Sequence, residues 1–355
     1  MSTMKITLRD LAKKLGVHPS TVSRVINPKT RHLVGEKVAA QVLAAARDLG
    51  YRPNSIAASL RTKRSNLIGV LLPDITNPMF PLILLGIEEA LSPAGYTALV
   101  VNAGSDYVKQ QHIVEQMQGR QIDGLIVASV ERDDPLISYC LAQELPVVTV
   151  NRSEERGRVS CVVNDDVLSI RLAVDHLVAL GHTQIGHVLG PLNVSTSYHR
   201  HLGFQTALIA QGLPFDEHME VESTAYTREA GARACETLLT QFEDVTAVIA
   251  GNDLIAIGCL DVFRRRGIAC PADISLVGHN DTPLTDVIDP PLTTVRIKQR
   301  ELGVQSARIL LSTIDEPASE PLEVRLKPEL VVRASTAPPR RTAHARTAQS
   351  RKKKA

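Results

Sequence analysis

Between positions 18 and 27 the side chains suit the reading of a polar surface. Ser20, Thr21, Ser23, Arg24 and Asn27 fall on one side of the run 20–27, and Val22, Val25 and Ile26 on the other. Short hydroxyls and an amide around one guanidinium form hydrogen bonds to phosphate oxygens and base edges. A guanidinium also forks onto a guanine or a phosphate. His18 and Pro19 open the run, and the first positions of such a helix are those that reach bases.

The elements that present these groups are short. Leu8, Leu11, Ala12 and Leu15 recur at helical spacing, with Thr7 at the N-cap position and Asp10 three residues on. Gly16-Val17-His18 makes a turn, and Pro19 starts a second helix where a missing N–H costs nothing. Two short helices joined by a glycine turn form a helix-turn-helix, whose second helix enters a major groove. A third helix is predicted over 35–49, with Val38, Val42, Ala45, Ala46 and Leu49 inward and Gly50 as its stop.

Three strings resemble the headpiece of the lac repressor (LacI/GalR) family: Leu8-Arg-Asp-Leu-Ala12, Gly16 through Asn27, and Leu49-Gly-Tyr-Arg-Pro-Asn54. The resemblance continues to about residue 335. It implies that Pro19 and Ser20 are the most base-selective positions and that Thr21, Ser23 and Asn27 contact the DNA backbone. Asn54 then begins a hinge helix spanning about 54–62, which is too short to hold alone. In the family two such helices pair across a dimer and insert a leucine, here Leu60, as an apolar wedge in the minor groove. The family's Thr-Arg early in the third helix is replaced by Val38-Ala39, so Arg31 or Lys37 would have to make the phosphate contacts there.

Charge is distributed accordingly. Residues 1–64 hold 13 Lys and Arg against 3 Asp and Glu, and residues 337–355 hold 7 against none. The whole chain is +2, so the stretch between carries −15. A basic head is the footprint of phosphate contact, and an acidic body avoids DNA.

After a polar linker at 62–66, buried strands alternate with helices, the pattern of parallel sheets with crossovers. Strands are predicted at Leu67–Leu72, Thr97–Asn102, Gly124–Ala128, Val147–Val150 and Val159–Val163, then Ile185–Leu189, 219–222, Ala247–Ala250 and Ser275–Gly278. Helices are predicted at 78–94, 106–120, 167–180, 198–212, 227–241, 253–267 and 298–314. The expected fold class is therefore an all-α helix-turn-helix headpiece with hinge helix, followed by a two-lobed α/β body. The family implies a periplasmic-binding-protein-like body in which the chain crosses between lobes three times. The expected domains are 1–62 for the headpiece and 66–335 for the body. Lobe one takes 66–162 and 294–325, and lobe two takes 163–293 and 326–335. Residues 336–355 are expected to be a disordered basic tail.

Ligands of such bodies bind where strand C-termini converge. The residues just past those ends, together with the resemblance, give Asn77, Phe80, Ser129, Arg152, Arg200, Asn252 and Asn280 as effector-binding candidates. Sugar-responsive members commonly carry Asp at the position of Asn280. The effector is expected to be a sugar, a sugar acid or an organic acid.

Several classes are disfavoured. No phosphate-cradling, dinucleotide, nucleophile-elbow or H-E-x-x-H motif occurs, so no catalytic residue is assigned. Five scattered cysteines with no C-x-x-C suggest neither a zinc site nor a disulfide framework, and no metal or cofactor is expected. No apolar run is long enough to span a membrane. A cytoplasmic regulator, most simply a repressor, is expected. It would bind a near-palindromic double-stranded operator as a homodimer under control of a small molecule. A solute-binding receptor without a transcriptional role is the alternative, but it leaves residues 7–62 unexplained.

Overall fold

The computed structural model describes residues 6–27, 30–51, 64–317 and 320–340. It separates into two compact units, residues 1–66 and 67–355. The expected contacts at Asn54 and Leu60 lie outside the described residues.

The first unit holds α1 (Leu8–Leu15), α2 (Pro19–Ile26), a 3-10 turn (Arg31–Leu33) and α3 (Glu36–Asp48). Both halves of the capping box on α1 form, between Thr7 and Asp10. Gly16 ends α1 in the left-handed region at φ 63°, where glycine carries no steric penalty. Leu11, Ala12, Val22, Val25, Ala39, Val42 and Ala46 form the core. The inward stripe of α3 thus includes Ala39, while Val38, Ala45 and Leu49 are only half-buried around it.

The second unit contains two six-stranded sheets. In chain order the first lobe has β1 (Leu67–Leu72), α4 (Phe80–Ala94), β2 (Thr97–Asn102), α5 (Tyr107–Gly119), β3 (Gly124–Val127), α6 (Pro135–Ala142), β4 (Val147–Asn151) and β5 (Ser160–Asn164). The second has α7 (Asp166–Ala179), β6 (Ile185–Leu189), α8 (Ser195–Ala210), β7 (Glu220–Glu222), α9 (Arg228–Gln241), β8 (Ala247–Ala250), α10 (Asp253–Arg266), β9 (Ser275–Asn280) and β10 (Thr293–Arg296). There follow α11 (Gln299–Asp315), β11 (Glu323–Leu326) and β12 (Glu329–Val331). The first sheet runs β11-β5-β4-β3-β1-β2 and the second β12-β10-β9-β8-β6-β7. Every pairing is parallel except β10 with β12.

The chain crosses between lobes after β5, between β10 and α11, and between β11 and β12. Helix α11 returns to the first lobe, where Leu302, Ala307 and Leu310 join the core of Ile83, Ile87 and Ile126. Two expected lobe boundaries need correction. β5 continues to Asn164 in the first sheet, and β10, placed from residue 294 in lobe one, pairs with β9 and β12 in the second. The hydrophobic pattern marks the strands but not which sheet a strand joins.

Residues 336–340, expected to belong to a disordered tail, are instead held to the body. Thr336 Oγ1 contacts His176 Nε2 at 3.0 Å, Ala337 N–H donates to Ser275 Oγ at 3.0 Å, and His182 Nε2 donates to the Ala337 carbonyl at 2.8 Å. Arg340 pairs with Asp273. Low apolar content concealed this segment because backbone and side-chain hydrogen bonds, not apolar burial, hold it.

Candidate functional site

The outward face of α2 is built as its sequence implies, with one refinement. Ser20 N–H donates to His18 Nδ1 at 3.2 Å, so Nδ1 is the acceptor and the ring proton is on Nε2. The exposed Ser20 hydroxyl lies 2.7 Å from the same nitrogen. Thr21 and Ser23 are half-buried, while Arg24 and Asn27 are exposed. The carbonyls that end α2 are met from the following turn: Thr30 Oγ1 donates to Arg24 O at 3.0 Å and Arg31 Nε to Val25 O at 2.9 Å. Arg31 therefore has part of its guanidinium committed to the fold, and the exposed Lys37 is the freer cation on this surface.

In the body, strand C-termini of both lobes converge on a cavity of about 290 Å³. Asn77, Phe80, Arg152, Arg200, Asn252 and Asn280 all line it. Ser129 does not: it is fully buried, and its residue is absent from the lining. Being the next residue past a strand end was too coarse a signal there. Tyr226, Thr196 and Glu131 also line the cavity and were not anticipated. Tyr226 sits in the turn after β7, an edge strand of three residues that periodicity barely marks. Its hydroxyl is shared with Ser197 Oγ (2.5 Å) and Thr196 Oγ1 (3.0 Å).

The three asparagines have their oxygens committed. Asn77 Oδ1 accepts from Met79 N–H at 3.1 Å and Asn252 Oδ1 caps α10 through Ile255 N–H at 2.8 Å. His279 Nδ1 donates to Asn280 Oδ1 at 2.9 Å. Burial, reinforced by Arg200, holds the His279 ring well below the usual imidazole range, so it is neutral. With their oxygens engaged, the three asparagines keep only NH₂ donors to offer a ligand in the cavity that they line. Asn151 and Asn280 end their strands at φ 67° and 111°, in the positive-φ range that asparagine adopts more readily than other side-chain-bearing residues.

The two arginines differ. Arg200 Nε donates to Asp166 Oδ1 at 2.8 Å, and its NH1 donates to the Gly251 carbonyl. Burial opposes its charge, and Asp166 more than offsets this, so the guanidinium is firmly protonated. Arg152 is 9% exposed, makes no ion pair among the described residues, and has a buried Nε without a hydrogen-bond partner. Burial lowers its pKa, Arg200 adds to that, and Tyr226 and Glu131 act the other way. An arginine does not deprotonate under such pressure. It remains a buried cation, with Glu131 in the same cavity but no direct ion pair among the described residues.

Direct bonds link the lobes near this cavity. Ser153 N–H donates to Ser195 Oγ at 2.9 Å, Arg132 N–H to Asn193 O at 3.0 Å and Asn193 Nδ2 to Glu131 Oε1 at 2.7 Å. Arg132 lies 3.5 Å above the Tyr198 ring. Helix α8 begins at Ser195 rather than near 198.

A DNA-reading helix-turn-helix joined to a two-lobed α/β body with an interlobe cavity defines a class of ligand-binding transcription regulators. Comparison with known proteins agrees. Bacterial regulatory proteins of the lacI family match residues 7–54, and the periplasmic binding protein-like domain matches residues 174–336. The HTH-type transcriptional regulator DegA of Bacillus subtilis is 32% identical, covering 94% of this chain and 99% of its own. The HTH-type transcriptional repressor PurR of Photobacterium profundum is 31% identical, covering 93% and 98%. Among solved structures, the lac repressor dimer bound to operator and the anti-inducer ONPF is 29% identical, with TM-score 0.83 over 94% of this chain and 99% of that one. The CelR–cellobiose complex is also 29% identical, with TM-score 0.72 over 93% and 99%. The chain belongs to the LacI family and is a DNA-binding transcriptional regulator with a ligand-binding body.

Proposed function

We propose that the chain is a repressor that grips a near-palindromic operator as a homodimer, and that an anionic small molecule in the interlobe cavity sets its affinity for DNA. The observation that carries the ligand class is Arg152: a buried cation that makes no ion pair among the described residues, in a cavity also lined by Arg200, Asn77, Asn252 and Asn280. A guanidinium forks onto a carboxylate, which would supply the missing charge. A sugar acid or hydroxylated organic acid fits the surrounding donors better than a neutral sugar. Relatives of known structure hold cellobiose and ribose, so neutral sugars are the comparison to make.

Thermal-shift titration of neutral sugars against their acid counterparts tests the ligand class. Stabilisation by the acids and weaker acid binding by Asn280→Asp are expected. Stabilisation by a neutral sugar alone overturns it. A dimer is expected because a two-fold site on DNA mirrors a two-fold protein, and light scattering showing a tetramer at micromolar concentration would overturn that part.

A further inference from the structure

We infer that His279 and Asp166 form a proton-binding site behind the effector cavity, held empty by the charge of Arg200 and filled when an anion pairs with that charge. The effector and a proton then bind together, and affinity for the effector rises as pH falls. The coupling rests on the anionic effector proposed above. The proton site itself rests on the geometry of the second lobe.

Two acceptors meet there with no hydrogen between them. His279 donates its ring proton from Nδ1 to Asn280 Oδ1 at 2.9 Å, which leaves a bare lone pair on Nε2. That nitrogen is buried and has no hydrogen-bond partner. Asp166 Oδ1 lies 3.8 Å from it and accepts from Arg200 Nε and NH2, each at 2.8 Å. Asp166 is the first residue of α7, where the helix terminus favours an ionised carboxylate. A second proton on His279 points at this anion and closes a charge-assisted hydrogen bond. Both side chains are almost fully buried, so solvent does not screen the pair.

Burial and Arg200, in that order, keep the proton out of the ring. Arg200 reaches the site from α8 and also lines the cavity. His187 of β6 is on the same face of the sheet as His279. Its Nδ1 donates to Glu220 of β7 at 2.8 Å, and Glu220 also holds His201 of α8 at 2.6 Å. Asp253 of α10 lies behind the opposite face, against Gly278. An anion on Arg200 offsets the one charge that both repels the proton and faces the ligand. Linkage then works in both directions: a ligand that draws in a proton is itself held more tightly where protons are plentiful.

The site can be tested without a ligand. Arg200→Met removes the opposing charge and leaves Asp166 to be answered by His279. The ring then holds its proton more tightly in the folded than in the unfolded chain, so the stabilisation is present at low pH and lost as pH rises. The melting-temperature deficit of the full-length Arg200→Met chain against the wild type should grow between pH 6.5 and 8.5, by roughly 3 °C per pH unit. Measured on a His279→Gln background, the same deficit should not change with pH. A flat deficit in the first comparison would overturn the inference, as would an Arg200→Met chain that stays unfolded at pH 6.5. Growth that persists without His279 would show Asp166 titrating alone, and growth that vanishes only on a His187→Gln background would move the site to His187; either outcome overturns it.

Gluconate and galacturonate probe the coupling. Calorimetry at pH 7.5 in Tris and in HEPES should show part of a proton taken up per ligand bound, and none in His279→Gln. Binding of either acid without uptake would overturn the coupling. If neither acid binds, the acid reading of the cavity is what fails, and the Arg200→Met melts still decide the proton site.

Discussion

Arg152 and Arg200 line one cavity, yet their substitution should read out differently. Removing Arg200 leaves Asp166 buried without its partner and the Gly251 carbonyl without its donor. A broken buried pair of this kind costs about 3–5 kcal/mol, so Arg200→Ala should lower thermal stability as well as abolish the effector response. Arg152 orphans nothing when it goes. Arg152→Met should leave the melting temperature unchanged or raised while the response is lost. A variant that melts much lower would show that Arg152 has a structural partner. Asp253 gives a pH signature. Burial raises its carboxyl from 3.8 to about 6, against hydrogen bonds from Thr282 and Thr294. Between those values the folded chain holds a proton that the unfolded chain releases, so this group's contribution to stability falls as pH rises from about 4 to 6, then levels. The full change is of order 3 kcal/mol. Urea midpoints at pH 4.5 and 7 should show that Asp253→Asn removes this component. An identical difference in both chains would exclude it.

At the scale of elements, α4 and α11 approach so closely that only glycine fits at their contact. A Cβ on Gly303 would stand 2.0 Å from the Ile83 carbonyl, and one on Gly86 2.0 Å from that of Arg300. Gly303→Ala should force the helices apart at a cost of about 3 kcal/mol, visible as a lower melting temperature, and a wild-type melt would contradict the contact. This helix pair shows what the sequence carried and what it did not. The period of α11 was legible, but its return to the first lobe came only through resemblance, because no local pattern encodes which sheet a helix covers. Helix α6 was missed altogether: Pro-Leu-Ile-Ser-Tyr-Cys-Leu-Ala is eight residues with little polar contrast, and its start signals, Asp134 at the N-cap and Pro135 at the first position, precede no apolar period. β11 and β12 are short edge strands whose inward residues, Val324, Leu326 and Leu330, are only half-buried. In the site, Asn77, Asn252 and Asn280 were legible as residues past strand ends. Tyr226 was not, since its position follows from a turn whose geometry depends on the neighbouring helix.

For the whole molecule, the separation of charge into a basic head, an acidic body and a basic end makes ionic strength a strong control on DNA binding. Logarithmic affinity should fall steeply and linearly with logarithmic salt concentration, each neutralised phosphate contributing about 0.9 to the slope. Salt-insensitive binding would be incompatible with a phosphate-contacting headpiece.

The bonds of Ser153 to Ser195 and of Arg132 and Glu131 to Asn193 bear on time as well as on affinity. We expect a small molecule reaching the cavity to pass between lobes that these contacts hold together, so that their parting limits its entry. The speed of the regulatory response is then a property of the protein. Stopped-flow binding rates should rise with ligand concentration and reach a ceiling equal to the opening rate, and loosening the contacts, as in Tyr198→Leu beneath Arg132, should lift that ceiling. A regulator built this way ignores brief fluctuations in its ligand and answers to its sustained level.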